Sequence, residues 1–153
     1  MNLKPYQAFV IAFIVYIVDQ VSKLAVKRFV SPADVINVTP FLNIVYLENV
    51  GSAFGMFKTL GNTFFVTISV FAILFITCMI LKDKDNRLPY SLLLGGAIGN
   101  MTDRLVYGYV IDFIDFYVGR YHWYVFNVAD SALTCGIVLM LINVFFVKNK
   151  GGS

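Results

Sequence analysis

Apolar residues run along this chain in four long stretches, and the polar positions that interrupt them are few enough to name. The first covers roughly residues 6–26 and opens with AFVIAFIVYIV; Asp19 and Lys23 break its second half. The second, about 64–81, carries no charged side chain and stops at the turn Lys82-Asp83-Lys84-Asp85-Asn86-Arg87. Pro89 then stands where helix-opening prolines stand, and the third stretch runs over about 88–106. The fourth, about 127–147, is stopped by Lys148 and Lys150. Crossing a hydrocarbon core takes about 20 such residues. The pattern therefore predicts a membrane all-α bundle of four transmembrane helices. No small-residue cleavage site follows the first stretch, so it reads as a retained span rather than a removed leader.

The segment between the first two spans has another texture. Val35-Ile36-Asn37-Val38 and Phe41 to Leu47 are rich in β-branched and apolar residues, punctuated by Pro32, Pro40, Gly51 and Gly55. This predicts a small extramembrane β-sheet over about 35–58. Residues 107–126, rich in aromatics and including Trp123, read as a loop resting at the headgroup level. Residues 1–150 form one polytopic domain on this reading, and Gly151-Gly152-Ser153 an appended tail.

Composition agrees with a lipid solvent. The chain is 59% apolar and 14% charged, against roughly 25% charged in soluble domains. A net charge of +3 without a basic stripe gives no footprint for nucleic acid. Cys78 and Cys135 sit within apolar runs and read as membrane-buried thiols. Basic residues concentrate at Lys4, at the Lys82/Lys84/Arg87 turn and at Lys148/Lys150, which places both termini and that turn in the cytoplasm.

With that orientation the acids and amides converge. Asp19 and Lys23 fall in the outer half of span one, and Asn100, Asp103 and Arg104 near the outer end of span three. Asp112 and Asp115 lie just beyond it, Asn127 and Asp130 open span four, and Asn49 sits in the first outer loop. Ionisable groups at such depth are expensive and are functional candidates by default. Structural alternatives stand beside that reading: an i,i+4 pair for Asp19–Lys23, a helix-end ion pair for Asp103–Arg104, and a capping box for Asn127 and Asp130. His122, the only histidine, reads as an interfacial residue, so a metal site has no support. Gly95 and Gly99 fit close helix packing.

No Ser or Cys has a histidine partner at a useful spacing, and there is no phosphate loop. Carboxylate chemistry remains. Two Asp side chains held together share a proton, so one accepts a proton from water while the other serves the carbonyl and the leaving amine. Three rivals are open at this point. A proton-coupled transporter would place acids at mid-bilayer; a Mg²⁺-dependent headgroup transferase needs further acids; an interaction protein needs no site at all.

Four motifs in register, covering residues 19–135, resemble the lipoprotein signal peptidase (signal peptidase II) family. They are Asp19-Gln-x-Ser-Lys23; Asn49-Val-Gly51-Ser-Ala53-Phe54-Gly55; Gly95 to Gly99-Asn100-x-x-Asp103-Arg104 with Val110-x-Asp112-Phe113; and Phe126-Asn127-x-Ala129-Asp130. The resemblance implies a bacterial inner-membrane aspartyl endopeptidase without a cofactor or metal. It implies cleavage of the signal peptide from a diacylglyceryl-modified prolipoprotein just before the lipidated cysteine, near the outer leaflet. It assigns Asp112 and Asp130 as the catalytic dyad and Asp19, Lys23, Asn49, Gly51, Asn100, Arg104 and Asn127 as supporting residues, with Asp115 secondary. Expected partners are the lipid-modified precursors and membrane lipids, with the enzyme a monomer.

Overall fold

The computed structural model describes residues 3–51 and 61–147, so the Ser52–Gly55 part of the second motif, the end of the expected β region (52–58) and the C-terminal tail lie outside the described residues. Helix α1 spans Pro5–Phe29, α2 Gly61–Lys82, α3 Arg87–Val106 and α4 Val128–Ile142, the last continued by a π-helical stretch, Asn143–Val147. Strands β1 (Ile36–Thr39), β2 (Leu42–Asn49), β3 (Val110–Val118) and β4 (Tyr121–His122) form one antiparallel sheet in the order β1-β2-β3-β4.

The four expected spans are all helices, displaced by a few residues at most from their expected bounds. Three of them, Pro5–Phe29, Gly61–Lys82 and Val128–Phe145, are long and apolar enough to cross a membrane. Their large side chains face outward: Phe13, Leu74 and Ile137 are all exposed. So are Cys78 and Cys135, the latter at the wall of the cleft described below. Helix α3 does not reach the same apolarity, and its position accounts for that. It packs against α1, α2 and α4 and buries Arg87, Ser91, Asn100 and Asp103. A central helix answers to its neighbours rather than to lipid, so polar groups survive on it when each finds a partner. Arg87 does: Nε donates to the Ile80 carbonyl (2.9 Å) and Nη1 to that of Leu3 (2.8 Å).

Small residues let the helices close around α3. A Cβ on Gly95 would stand 2.6 Å from the Ala12 carbonyl oxygen, and one on Gly99 would stand 2.5 Å from Asp19 Oδ2. Neither position has room for one. On α1 the buried face reads Ala8, Ala12, Asp19, Lys23, Val26, the helical period of an inward stripe. Ala8 and Ala12 join an apolar cluster with Ile76, Ile80, Tyr90 and Leu94; Val26 joins another with Val30 and Phe113. Between them along α1 lies the buried polar pair.

Residues 107–126, expected as an interfacial loop, hold β3 and β4. The β2 partners of β3 lie more than 60 residues away in sequence for every pair, and local texture does not reveal a ladder of that kind. Within it β2 carries a bulge: Ile44 pairs with Ile114 and Leu47 with Asp112, so Val45 and Tyr46 together oppose Phe113. One extra residue reverses the side-chain alternation beyond it. Asn43 and Asn49, an even number apart, would otherwise share a face; the bulge sends them to opposite faces, Asn43 with Asp115 and Asn49 with Val110 and Asp112.

Candidate functional site

Six polar residues from four elements converge where the end of α3, the start of α4 and strand β3 meet. Asp112 comes from β3 and is fully buried. Asn127 and Asp130 form the capping box that opens α4: the Asn127 side chain accepts from the Asp130 N–H (2.9 Å), and Asp130 Oδ2 accepts from the Asn127 N–H (3.3 Å). The capping alternative is therefore correct, and it does not compete with a functional reading. With its Oδ1 occupied by the cap, Asn127 must turn its NH2 the other way, where it donates to Asp112 Oδ1 at 2.6 Å.

The same logic orients two further asparagines. Asn100 Oδ1 accepts from Lys23 Nζ (3.0 Å), a group that can only donate, so its NH2 faces Asp130 Oδ1 at 2.7 Å. Asn49 Oδ1 accepts from the Gly51 N–H (2.9 Å), so its NH2 reaches Asp112 Oδ2 at 2.8 Å and the Tyr124 hydroxyl at 2.8 Å. Gly51 holds φ +102°, in the left-handed region, and the Phe65 ring lies where its side chain would be. Each asparagine is pinned at its carbonyl end by an obligate donor and offers its amide hydrogens to Asp112 or Asp130.

Beneath this lies a second group. Lys23 Nζ meets Asp19 Oδ2 at 2.8 Å, Asp103 Oδ2 at 3.0 Å and Asn100 Oδ1, so its three hydrogens have three acceptors. Asp19 Oδ1 accepts from the Ala129 N–H (2.8 Å), and Asp103 from the Ile111 N–H (3.1 Å) and Gln20 Nε2 (3.0 Å). The pairing of Asp103 with its neighbour Arg104 gives way to one with Lys23, 80 positions earlier. Asp19–Lys23 is more than a self-neutralising helix pair, because it also locks α1 to α3 and α4. No buried side-chain nitrogen or oxygen among the described residues lacks a partner.

A cleft of about 600 Å³ opens over the site, lined by Asn49, Phe65, Arg104, Trp123, Tyr124 and Asp130 among others. Arg104 Nη1 donates to the Asn100 carbonyl (3.4 Å), and its guanidinium lies 5.1 Å from the Phe65 ring centre. It acts on Asp130 and Asp112 through charge. Burial, and after it the neighbouring Asp130 charge, pushes the Asp112 carboxyl up to about 7, against the pull of the Asn49 and Asn127 amides. Burial and the Asp112 charge also raise the Tyr124 hydroxyl, keeping it protonated.

The sequence-predicted site residues thus gather at one place, with Gly51 acting through Asn49 and Arg104 at the cleft wall. Sequence reasoning passed over Tyr124, Phe65 and Gln20. It also held Asp103 open between a functional group and a helix-end ion pair with Arg104, and did not count it among the supporting residues, although Asp103 lies inside the Asn100-x-x-Asp103-Arg104 motif. Asp115 is apart: three residues from Asp112 on a regular strand, it points to the opposite face and bonds Asn43 and His122.

Residues 11–146 match the family model described as signal peptidase (SPase) II. The lipoprotein signal peptidase of Thermodesulfovibrio yellowstonii is 48% identical over 141 residues, covering 92% of this chain and 96% of that one. That of Francisella tularensis subsp. novicida is 37% identical over 150 residues, 93% of each. A solved bacterial membrane enzyme superposes with a TM-score of 0.85 at 34% identity, covering 96% of this chain and 92% of the other; a second does so at 0.83 and 35%. The chain belongs to the signal peptidase II family, the membrane peptidases that process prolipoprotein signal peptides.

Proposed function

We propose that this peptidase is of the aspartyl type, with Asp112 and Asp130 as its dyad, and that it cuts a diacylglyceryl-modified precursor just before the lipidated cysteine. The observation that carries this reading is the double role of Asn127. Its side chain donates to Asp112 at 2.6 Å while its backbone N–H donates to Asp130 at 3.3 Å. One residue thus holds both carboxyls, and no lysine or arginine hydrogen-bonds to either among the described residues. Two such acids hold one proton between them. The ionised member takes a proton from water as its oxygen attacks the scissile carbonyl. The protonated member hydrogen-bonds that carbonyl, and the leaving cysteine nitrogen takes up a proton as the C–N bond breaks. Asp130 lines the cleft, and Asp112, fully buried, accepts from the cleft-lining Asn49.

Helix α3 serves as the fourth span, both termini lie on the cytoplasmic side of the bacterial inner membrane, and the dyad works near the outer leaflet. The six basic residues at the termini and the α2–α3 turn support that orientation. The enzyme acts as a monomer, since one chain supplies every partner of the dyad, and needs no metal. The test is a gel-shift assay with purified lipid-modified precursor. Asp112→Asn and Asp130→Asn each abolish cleavage while the protein stays folded and inserted, and excess chelator leaves the parent active. Cleavage by either variant at the parental rate overturns the dyad.

A further inference from the structure

The face of the sheet turned away from the dyad carries its own hydrogen-bonded row, with one polar side chain from each strand. Asn37 Nδ2 donates to Asn43 Oδ1 at 2.7 Å, and Asn43 Nδ2 donates to Asp115 Oδ2 at 3.0 Å. His122 Nδ1 lies 2.9 and 3.0 Å from the two Asp115 oxygens. With the carboxyl accepting, Nδ1 carries the hydrogen. Asn43 and Asp115 are buried, at 4% and 5% exposure, a cost that the dyad chemistry does not call for.

The row ends at a weak point of the fold. Strand β4 is two residues long, Tyr121–His122, and a pairing that short has little stability of its own. Immediately after it come Trp123 and Tyr124, which wall the cleft beside Asp130, and Tyr124 meets the same Asn49 amide that holds Asp112. Backbone support here is the two β3–β4 pairs and the Trp123 N–H bond to the Phe116 carbonyl (2.6 Å), with the Phe126–Ile114 bridge beyond Tyr124; Tyr124 itself lies between these anchors. His122 adds a stack on Tyr117, ring centres 5.2 Å apart, and the bond to Asp115.

We propose that Asp115 and His122 are a positioning pair: by tying β4 to β3 they hold Trp123 and Tyr124 in place as the substrate-binding wall of the cleft. The inference rests on the cleft being the peptidase site. It assigns the pair to substrate binding and not to proton transfer, since both residues stand on the face of β3 opposite Asp112.

The full chain, in detergent or liposomes, is assayed with lipid-modified precursor as His122→Phe and as His122→Asn. Phenylalanine keeps the stack on Tyr117 and loses the hydrogen bond; asparagine restores a donor at the δ position. For His122→Phe, KM rises about tenfold, the order of one hydrogen bond to a charged group, with kcat nearly unchanged; His122→Asn recovers the parental KM. Trp123 is the only tryptophan, so its emission in substrate-free protein reads the wall without turnover. It shifts in His122→Phe and returns in His122→Asn. Parental KM and emission in His122→Phe overturn the pair, as does a loss in kcat alone or an equal defect in both variants. The emission arm stands whether or not the dyad assignment does.

Discussion

Two groups of carboxyls occupy the same end of the bundle, and their partners differ in kind. Asp19 and Asp103 flank an ammonium, Lys23, at 2.8 and 3.0 Å, and complete their sets with backbone N–H groups. Asp112 and Asp130 receive amides, from Asn49, Asn127 and Asn100. An ammonium offsets buried negative charge, which suits a joint between helices. An amide orients an oxygen and lowers its charge only in part, so like-charge repulsion remains and a proton stays exchangeable. Asn100 stands between the two regimes: it takes the Lys23 bond on its oxygen and gives Asp130 an amide hydrogen bond, so the ammonium reaches Asp130 only through space.

Removing the cation tests the joint. In Lys23→Met two carboxylates at 0% and 1% exposure face each other without compensation. The expected loss is about 3–5 kcal/mol of stability, the cost of orphaning a buried charge, read as a lowered unfolding midpoint in micelles. Adding Asp103→Asn should recover part of it, because the two changes share one network. A parental midpoint for Lys23→Met would mean that the two groups do not differ as described. Removing an amide tests the other regime. Asn49→Ala deletes one donor to Asp112 and the link to Tyr124, while the Lys23 joint stays intact. Cleavage should fall about 10–100-fold, the usual effect of losing an orienting partner, with the unfolding midpoint little changed. A stability loss as large as that of Lys23→Met would contradict it.

The joint was more legible than the sheet. Asp19 and Lys23 stand one helical turn apart, and an ionisable pair inside an apolar run announces itself. The convergence of Asn100, Asp112, Asn127 and Asp130 at one end followed from counting residues along helices of known rise. The sequence did not disclose that Lys23 reaches Asp103, because side-chain contacts between helices depend on their relative rotation. Nor did it disclose the bulge at Val45–Tyr46, which decides that Asn49 rather than Asn43 meets Asp112. Strand β3 looked like a membrane-surface loop because VIDFIDFYV lacks strict alternation; it is buried on both faces through most of its first half, where alternation is not required. His122 was read as interfacial, and the sequence carries no local sign of its bond to Asp115.

The remaining expected effect is a slope rather than a loss. Asp112 is raised from 3.8 to about 7 by burial and by Asp130. Below the lower value it is protonated in folded and unfolded chains alike, and it costs the fold nothing. Between the two values only the folded chain keeps the proton, so stability falls as pH rises, until the difference is complete above about 7. Asp112→Asn cannot titrate. It carries a constant cost, because one asparagine amide must now face another amide donor, but it has none of this slope. The Tm of Asp112→Asn minus that of the parent should therefore climb between about pH 4 and pH 7 and level off beyond, by a few degrees per kcal/mol in a chain of this size. In the parent, cleavage should decline over the upper part of the same window, as the dyad loses its shared proton. Were the Tm difference flat across that range, folding would not raise the Asp112 carboxyl.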